Sequence, residues 1–362
     1  MKYLVLMSGG VDSAVAAFML LRDGADVAGI HMLPGNDASA PPGSCWGEGA
    51  SESAEHAAAA AEGLGIPLTV LDVSSSFREH VLEAAGRMYS AGLTPNPCAL
   101  CNRHVKLGSL IETARASGQV FDRVATGHYA RTALSSAGRS LLFAGADRGK
   151  DQSYFLSLLP QARLNLLDLP LGSLSKREVR KIAEDAGLSR LVMKRESQDF
   201  AAGGAFAALV RDRTPAPGPI VDFEGRVLGE HRGAMLFTVG QRSGLGLGGL
   251  REPMYVLEID MPGNRVVVGP AERLMCGGLR AGGMNWIALE NPSGSFRAAV
   301  RIRSRHTPAS CTVSVSEGGD EIEVSFDVPQ PAVTPGQIAA IYDGDAVLGA
   351  GTITGGVSSK GR

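Results

Sequence analysis

The length, composition and charge of the chain exclude several classes of protein. Its 362 residues exceed one average domain, so two or three domains are expected, and 44% hydrophobic with 20% charged residues is enough to bury sizeable cores. Because the formal net charge is -2, any nucleic-acid site must be a local basic patch. The N-terminal apolar run is too short for a signal segment, and no stretch approaches the roughly 18 apolar residues of a membrane span. We therefore expect a soluble protein that makes no contact with membranes.

The cysteine content predicts reduced thiols rather than a disulfide framework. The number of cysteines is odd, and the chain is long and lacks a secretory signal. Such thiols are candidates for reactivity or for metal binding, and the last two, which fall late in the chain, are expected to be structural. The five are Cys45, Cys98, Cys101, Cys276 and Cys311.

The first part of the chain, up to about residue 205, alternates between strand and helix patterns. Strands are predicted over Tyr3–Met7, Val27–Met32, Leu68–Val73 and Arg123–Thr126. Helices are predicted over Ser13–Arg22, Ser51–Leu64 and Phe77–Tyr89. This alternation with short connections predicts an α/β fold with a parallel, doubly wound sheet, whose ligands bind at the carboxyl ends of the strands.

From about residue 206 the pattern changes to short β-strands. Prolines 215, 217 and 219 interrupt the chain, and the alternation of apolar residues from residue 285 onward predicts a small antiparallel β-barrel. The predicted strands are Met254–Ile259, Arg265–Val268, Ala298–Arg303, Thr312–Val315 and Glu321–Val328. We expect an α/β domain over residues 1–205, a small central domain over 206–280 and a C-terminal β-barrel domain over 281–362.

The segment Ser8–Ser13, with the sequence Ser-Gly-Gly-Val-Asp-Ser, lies between the first predicted strand and the first predicted helix. Its two glycines let the backbone approach an anion closely, and a helix N-terminus supplies positive partial charge. Asp12 is a candidate either for holding magnesium beside the phosphates or for capping the helix. The complete string resembles the SGGxDS loop of the ATP pyrophosphatase (PP-loop) superfamily, which implies that ATP binds here and adenylates a substrate.

A second segment, Thr94–Asn102, is stiffened by two prolines and presents Cys98 and Cys101 in C-x-x-C spacing. We call it the cysteine loop. The side chains that follow are Arg103, His104 and Lys106. Nearby cations and a helix N-terminus predict lowered thiol pKa values and therefore a nucleophilic thiolate near neutral pH. Two alternatives stay open at this point: a zinc knuckle that adds His104 and Cys45, and inert core cysteines.

These two loops and five further segments resemble, in order along the chain, the tRNA-specific 2-thiouridylase family. The further segments are ATGHYAR (Ala125–Arg131), KDQSYFL (Lys150–Leu156), ESQD (Glu196–Asp199), FTVGQRSGLGLG (Phe237–Gly248) and AVTPGQIAAIYDGDAVLGAGTI (Ala332–Ile353). The resemblance implies a cytoplasmic tRNA-uridine 2-sulfurtransferase. Such an enzyme uses ATP to adenylate O2 of the wobble uridine in tRNA and then places sulfur on C2, releasing AMP and pyrophosphate.

The resemblance also implies roles for individual residues. The ATP site would comprise Leu6, Met7, Ser8, Gly9, Gly10, Val11, Asp12, Ser13, Met32 and Gly127. The contacts to the target uridine would come from Asn96, Pro97 and Cys98, and those to the rest of the tRNA from Lys150, Asp151, Gln152, Arg303 and Ser304. Cys101 would be the thiol that attacks the activated base.

The chain departs from the family pattern at the sulfur-carrying position. Many members have a second cysteine where this chain has Ala201. Two sulfur routes therefore stay open, and a protein sulfur donor is expected in both. In the first, Cys98 and Cys101 divide persulfide and disulfide chemistry between them. In the second, Cys45, Cys98 and Cys101 hold a [4Fe-4S] cluster whose fourth iron accepts sulfide.

Two other functions account for part of the sequence. Another PP-loop synthetase would use ATP to form an amide or a guanidine, which gives no reason for the C-x-x-C loop. A non-catalytic RNA-binding protein with structural zinc leaves the phosphate loop unexplained. RNA binding would rest on local basic residues, of which Arg301, Arg303 and Arg305 alternate along a predicted strand and share one face. The other candidates are Arg103, Lys106, Arg131 and Lys150.

Overall fold

The structure is a computed structural model that describes residues 1–35, 40–41, 44–47, 49–188, 200, 209, 216–249 and 252–358. The ESQD segment, Ala201 and the expected domain boundary at residues 205 and 206 lie outside the described residues. The chain divides into two compact units. The first unit comprises Met1–Val81, Pro97–Ala205 and Asp345–Val347; the second comprises Leu82–Asn96, Phe206–Gly344 and Leu348–Arg362.

The first unit contains a five-stranded parallel sheet in the order β3-β2-β1-β4-β7. Its strands are β1 (Lys2–Leu6), β2 (Asp26–Leu33), β3 (Leu68–Asp72), β4 (Arg123–Ala125) and β7 (Leu167–Asp168). An antiparallel hairpin consists of β5 (Ala130–Leu134) and β6 (Ser140–Ala144). The predicted parallel α/β sheet is confirmed, and each predicted strand of this unit is present with ends shifted by a residue or so.

The helices of the first unit are α1 (Val11–Arg22), α2 (Gly49–Leu64), α3 (Ser74–Phe77), α5 (Pro97–Leu100), α6 (Leu110–Ala116), α7 (Ser153–Leu156), α8 (Gln161–Leu164) and α9 (Lys176–Asp185). Two π-helical stretches cover Arg78–Glu83 and Cys101–Ser109, and the first of them runs into α4 (Ala84–Ser90), which belongs to the second unit. Small side chains of α1 and α2, such as Ala16 and Ala57, are fully buried in the same core as Val179 of α9. Alanine at these positions lets the helices pack closely while their apolar surface is removed from water.

The strand order places a switch point between β1 and β4. From β1 the sheet grows through β2 and β3 on one side, whereas β4 lies on its other side. Connections leave the carboxyl ends of β1 and β4 in opposite directions, and this opens a crevice in which α/β proteins bind ligands. Residues 7–13 follow β1 and residues 126–129 follow β4, so both segments lie at this crevice.

The second unit contains a four-stranded sheet and a closed barrel. The sheet has the order β10-β11-β8-β9, and the barrel order β12-β15-β14-β13-β16-β17 closes through pairing of β12 with β17. The sheet strands are β8 (Gly218–Asp222), β9 (Val227–His231), β10 (Tyr255–Asp260) and β11 (Arg265–Gly269), with short 3-10 helices at Ala234–Leu236 and Ala271–Leu274. The barrel strands are β12 (Met275–Trp286), β13 (Gly294–Arg301), β14 (Ala309–Val315), β15 (Glu321–Pro331), β16 (Ile338–Asp343) and β17 (Ala346–Ser358).

The barrel confirms the predicted antiparallel fold of the C-terminal region. Ile322, Val324 and Phe326 of β15 alternate with exposed neighbours and fill its interior, as the sequence pattern requires. Strand β12 begins at Met275, ahead of the residue 281 at which the barrel domain is expected to start. None of the helices in the described part of the chain has the length and apolar character needed to cross a membrane.

A barrel loop holds the segment that leads into the cysteine loop. The Gln337 side-chain amide donates hydrogen bonds to the carbonyls of Thr94 and Pro95, both at 3.0 Å, and the Thr94 N–H donates to the Pro335 carbonyl. Gly336 has a φ of +91°, and a Cβ there would lie 2.7 Å from the Thr94 nitrogen. Only glycine fits this contact, so the loop fixes the backbone just before Asn96.

We predict that Gly336→Ala destabilises the second unit by about 3 kcal/mol, because it adds a left-handed strain of about 1 kcal/mol to a backbone clash. Gly344→Ala is the matched control, since Gly344 has a φ of +56° and open space around its Cβ position. Urea unfolding of the full chain, followed through Trp286 fluorescence in a Trp46→Phe background, measures the difference. Equal losses of stability in the two variants would show that the contact with Thr94 contributes nothing.

Candidate active site

The phosphate loop is closed by its own serine and rests on α2. The Ser13 hydroxyl donates to the Gly10 carbonyl at 3.0 Å and accepts from the Ser8 N–H at 3.1 Å. Gly9 has a φ of +73°, and a Cβ on it would lie 2.6 Å from the Ser53 carbonyl oxygen of α2. Any larger residue at position 9 would push the loop away from α2, so this glycine is required by packing as well as by its backbone conformation.

The strands that flank the loop place the remaining residues of the expected ATP site. Leu6 ends β1 and Met32 lies near the end of β2, both half-buried, whereas the Met7 side chain is only 2% exposed. The Met7 carbonyl lies 2.6 Å from Nδ1 of the buried His31, whose pKa is lowered by desolvation. The neutral imidazole therefore donates from Nδ1 to Met7 and fixes the strand end from which the phosphate loop begins.

Asp12 is paired with a lysine and does not cap α1. The N-cap residue is Gly10, and α1 has no side-chain capping hydrogen bond, so the capping role considered for Asp12 is wrong. Its two carboxylate oxygens instead accept from Lys176 Nζ at 2.7 Å and 2.8 Å, and Oδ1 also accepts from the Tyr129 hydroxyl at 2.7 Å. Val11, beside it, opens the helix and is half-buried.

Lys176 is a site residue that the sequence patterns did not reveal. It is the first residue of α9, and it is held there by a capping box in which Ser175 and Glu178 exchange hydrogen bonds. Its backbone N–H donates to Asp147, and its side chain is 11% exposed. The signal in the sequence was the Ser-x-x-Glu cap, which predicts a helix start but not the residue that it faces.

Gly127 brings the end of β4 into contact with the phosphate loop. A Cβ at Gly127 would lie 2.7 Å from the Asp12 carbonyl carbon and 2.8 Å from the Ser13 nitrogen. In the next residue, His128, the ring atom Nδ1 lies 2.8 Å from the hydroxyl oxygen of Thr126. Desolvation, together with the positive charge of Lys106, lowers the pKa of His128 to about 3, so the imidazole is neutral.

The cysteine loop ends in a π-helix that places a lysine beside a thiol. One α-helical turn, Pro97–Leu100, runs directly into the π-helical stretch that begins at Cys101. A π-helix pairs residues five apart, so Lys106 comes close to Cys101. The backbone of Lys106 forms a hydrogen bond with the Cys101 thiol. Cys101 is 6% exposed. Isolated π-helical turns are common at functional sites.

The predicted lowering of the thiol pKa is wrong for Cys101. Burial raises the pKa of Cys101 to about 12, although Lys106 lowers it, and burial likewise raises the pKa of Cys45 to about 11. Burial lowers the pKa of Lys106, but the thiols of Cys101, Cys98 and Cys45 raise it by more, so it stays above its ordinary value. The cation is present as expected, but desolvation of the thiols outweighs it.

Cys45, Cys98 and Cys101 interact electrostatically with one another and with Lys106. No disulfide joins any of the five cysteines. His104, the further ligand of the zinc alternative, stacks on His80 with ring centroids 5.3 Å apart. Among the described residues, no group of three or more His, Cys, Asp or Glu side chains is arranged to hold a metal ion.

The segment Lys150–Gln152 is tied to the site by internal hydrogen bonds. The Asp151 carboxylate accepts from the N–H groups of Gly145 and Ser153 at 3.0 Å each, and Gln152 Oε1 accepts from the Tyr129 N–H at 2.9 Å. The buried Asn102 of the π-helix donates to the Phe155 carbonyl at 3.2 Å. Asp151 and Gln152 therefore shape the loop that carries Lys150.

The basic residues of the barrel are arranged differently from the prediction. Strand β13 ends at Arg301, so Arg303 and Arg305 lie in the turn after it and do not share a strand face with Arg301. The Arg301 guanidinium donates to the Ser304 carbonyl and closes this turn. Ile302, between them, is buried in the barrel core. Arg303 is exposed and donates to the Pro331 carbonyl at 3.2 Å.

Arg131 has a structural role in the first unit. Its guanidinium forms an ion pair with Asp345 at 2.6 Å and donates to the Ala144 carbonyl at 2.9 Å. The same group lies over the Phe143 ring, 5.7 Å from its centroid. A guanidinium with these three contacts stabilises the β5–β6 hairpin. This structural role explains the presence of Arg131 without any contact to RNA.

The parallel sheet, with Ser-Gly-Gly-Val-Asp-Ser at its switch point and thiols beside it, defines a PP-loop type of nucleotide-binding unit. Three family descriptions match the chain: the tRNA methyl transferase HUP domain over residues 1–201, the tRNA methyl transferase PRC-barrel domain over 207–270 and the aminomethyltransferase beta-barrel domain over 277–353.

Curated relatives match the chain over nearly its full length. The tRNA-specific 2-thiouridylase MnmA of Chloroflexus aurantiacus is 43% identical, with 97% of each chain covered. That of Synechococcus sp. is 41% identical over the same shares, and MnmA 1 of Syntrophus aciditrophicus is 43% identical over 97% of this chain and 92% of its own length. The chain belongs to the tRNA-specific 2-thiouridylase family, which confirms the resemblance of its motifs.

We predict that Lys176→Met weakens ATP binding by about 10- to 100-fold, because it removes a cation beside the phosphate loop and leaves the Asp12 carboxylate without its counter-charge. Lys181→Met, on the exposed face of the same helix, is the control and should bind ATP as the wild type does. Calorimetric titration with ATP measures both variants. Unchanged affinity in Lys176→Met would remove Lys176 from the ATP site.

We predict that alkylation of Cys101 by iodoacetamide accelerates about tenfold per pH unit between about pH 7 and pH 10, because a thiol with a raised pKa gains thiolate throughout that range. Lys106→Met should slow the reaction at each pH, since the ammonium stabilises the thiolate. Arg103→Met, on the same π-helix, should leave the rate nearly unchanged. Peptide mass mapping gives the rates, and a plateau near neutral pH would contradict the raised pKa.

Proposed function

We propose that this chain synthesises 2-thiouridine in tRNA by adenylating O2 of the wobble uridine with ATP and then transferring sulfur to C2, with AMP and pyrophosphate as products. The observation that carries the proposal is the structural connection between the phosphate loop and the thiols. Gly127 lies against the phosphate loop, and His128 interacts with the Lys106 that serves the thiols. The first unit thus holds both an anion-binding loop and a group of thiols close to the carboxyl end of β4.

The chain's own residues account for positioning ATP. Use of ATP follows from membership of the PP-loop type family. Backbone N–H groups of Gly9 and Gly10 and the N-terminus of α1 offer positive partial charge to phosphates, and Lys176 adds a full charge. The hydroxyl groups of Ser8 and Ser13 hydrogen bond to each other now, and they would donate to the phosphates instead when ATP binds. Positioning and charge stabilisation are what adenylation chiefly needs.

The expected magnesium ion has no protein cage in the described residues. Asp12 is the one carboxylate of the phosphate loop, and both of its oxygens are engaged by Lys176. Magnesium usually binds through one or two carboxylates together with substrate phosphates. Asp12, paired with Lys176 through both oxygens, does not fit that role.

The thiol group suits transfer of sulfur at a site shielded from water. Cys101 is buried and remains protonated until it meets an electrophile, while Lys106 stands ready to stabilise the thiolate. His128 stays neutral, so it does not compete with Lys106 for the negative charge. A protonated resting thiol also resists oxidation, which protects the enzyme between turnovers.

The iron-sulfur alternative fits the side chains by type but not by arrangement. Cys45, Cys98 and Cys101 are the right kind of ligand, and they interact electrostatically with one another. They do not form a group placed to hold a metal in the described structure. The direct thiol route through the C-x-x-C loop remains part of the proposal.

The tRNA contacts remain those that the family resemblance assigns. In the first unit, Pro97, Cys98 and Lys150 are the proposed contacts, with Asp151 and Gln152 acting through the shape of their loop. In the second unit the proposed contacts are Asn96, Arg303 and Ser304. The target uridine has to leave the anticodon stack to be modified, and this costs least in a single-stranded loop. We further propose a protein sulfur donor and a cytoplasmic location.

We predict that Cys101→Ser keeps tRNA-dependent exchange between ATP and pyrophosphate but lowers 2-thiouridine formation by at least about 100-fold, because adenylation precedes the thiol step. Asp12→Ala should lose both activities. The exchange is followed with labelled pyrophosphate, and the nucleoside is measured by mass spectrometry of digested tRNA. Exchange that needs ammonia or an amino acid instead of tRNA would favour a PP-loop synthetase, and no exchange at all would favour an RNA-binding protein.

A further inference from the structure

Tyr129 connects the loop that carries Lys150 to the phosphate loop. Its N–H donates to Gln152 Oε1 at 2.9 Å, and its carbonyl accepts from the Gln152 N–H at 2.8 Å. Its hydroxyl donates to Asp12 Oδ1 at 2.7 Å, in the first turn of α1. Because Tyr129 is only 3% exposed and is held at both ends, the position of Gln152 determines where the hydroxyl lies.

Close backbone packing strengthens this connection. A Cβ at Gly145 would lie 2.7 Å from the Tyr129 carbonyl oxygen, so only glycine lets the two backbones approach so closely. The Gly145 N–H in turn donates to the Asp151 carboxylate at 3.0 Å. The loop that carries Lys150 therefore contacts the Tyr129 backbone at Gly145 as well as at Gln152.

The same loop also holds the lysine that pairs with Asp12. The Asp147 carboxylate accepts from the Lys176 N–H at 3.0 Å, and the Asp147 carbonyl accepts from the Lys150 N–H at 3.0 Å. Tyr129 and Lys176 are the two residues that donate to the Asp12 carboxylate in the described structure. One loop thus fixes the backbones of both residues.

The Tyr129 hydroxyl contributes more when ATP is bound than in the free chain. In the free chain both oxygens of Asp12 accept from Lys176 Nζ, so the carboxylate has a counter-charge even without the hydroxyl. The phosphates of ATP carry more negative charge than one carboxylate and attract the ammonium away from Asp12. The hydroxyl is then the donor that remains on Asp12 among the described residues. An interaction that is stronger in the bound state raises the affinity for the ligand.

We propose that Tyr129 and Gln152 are positioning residues for ATP, an inference that rests on the proposed function. Tyr129 holds the Asp12 carboxylate in place while Lys176 turns to the phosphates, and Gln152 holds Tyr129. When pyrophosphate leaves after adenylation, Asp12 is in position to take Lys176 back. Gln152, which the family resemblance assigns to tRNA, therefore serves the ATP site before any tRNA binds.

Calorimetric titration of the full chain with ATP and magnesium, in the absence of tRNA, tests this role. Tyr129→Phe keeps the ring and removes only the hydroxyl, and Gln152→Met keeps the length of the side chain and removes the acceptor. Each should raise the Kd for ATP by about 3- to 30-fold, less than at a fully buried site because the Asp12 side chain is 33% exposed. Tyr255→Phe in the second unit and Gln119→Met in the first are the controls and should bind ATP as the wild type does.

A double substitution separates positioning from a general loss of folding. In Lys176→Met there is no ammonium for ATP to draw from Asp12, so adding Tyr129→Phe should change the Kd by less than about twofold. An equal loss of affinity in both backgrounds would show that the hydroxyl only supports the fold. That result would overturn the proposal, and so would wild-type affinity in Tyr129→Phe.

The kinetics of exchange between ATP and pyrophosphate separate a role of Gln152 at the ATP site from a contact with tRNA. Gln152→Met should raise the KM for ATP in the tRNA-dependent exchange by the same factor as the Kd. A rise in the KM for tRNA alone would overturn the role of Gln152. If the wild type binds ATP but shows no tRNA-dependent exchange, the proposed function fails while the titrations still decide the role of Tyr129. A wild type that does not bind ATP would refute both.

Discussion

The close approach of two backbones at the switch point of the sheet is the constraint on which the site depends. Gly127 can lie against Asp12 and Ser13 only because it has no side chain. Across this contact, the end of β4 meets the start of α1, and Tyr129, two residues later, reaches Asp12 with its hydroxyl. The same contact also sets the position of His128 and therefore its distance from Lys106.

Electrostatics divides the site into two regions with opposite demands. Around the phosphate loop, Lys176 is neutralised by Asp12, so the loop can accept a phosphate by exchanging one anion for another. Around the thiols, Lys106 meets groups that are neutral at rest and become charged during reaction. A cation placed before the charge develops stabilises the transition state without reorganisation, which is the usual source of catalytic power in enzymes.

Much of the fold followed from the sequence because its signals are local. The apolar run of β1, the Gly-Gly turn and the alanine-rich α2 each predict their own conformation, and their order predicts a parallel sheet. The thiol pKa values did not follow, because the burial of Cys101 depends on long-range packing. Lys176 was missed for the same reason: it is distant from Asp12 in sequence, and only the fold joins them. The sequence predicts a strand through Arg303 because the alternation continues, but β13 ends at Arg301, before the buried Ile302.

Adenylation of O2 of the uridine and its replacement by sulfur can be observed by following that oxygen atom. A tRNA carrying a heavy-oxygen label at O2 of the wobble uridine is thiolated by the full chain with unlabelled ATP, and the AMP is analysed by mass spectrometry. We expect one heavy oxygen in each AMP formed together with 2-thiouridine. Unlabelled AMP beside the same yield of 2-thiouridine would contradict it, because ATP would then have activated some other group.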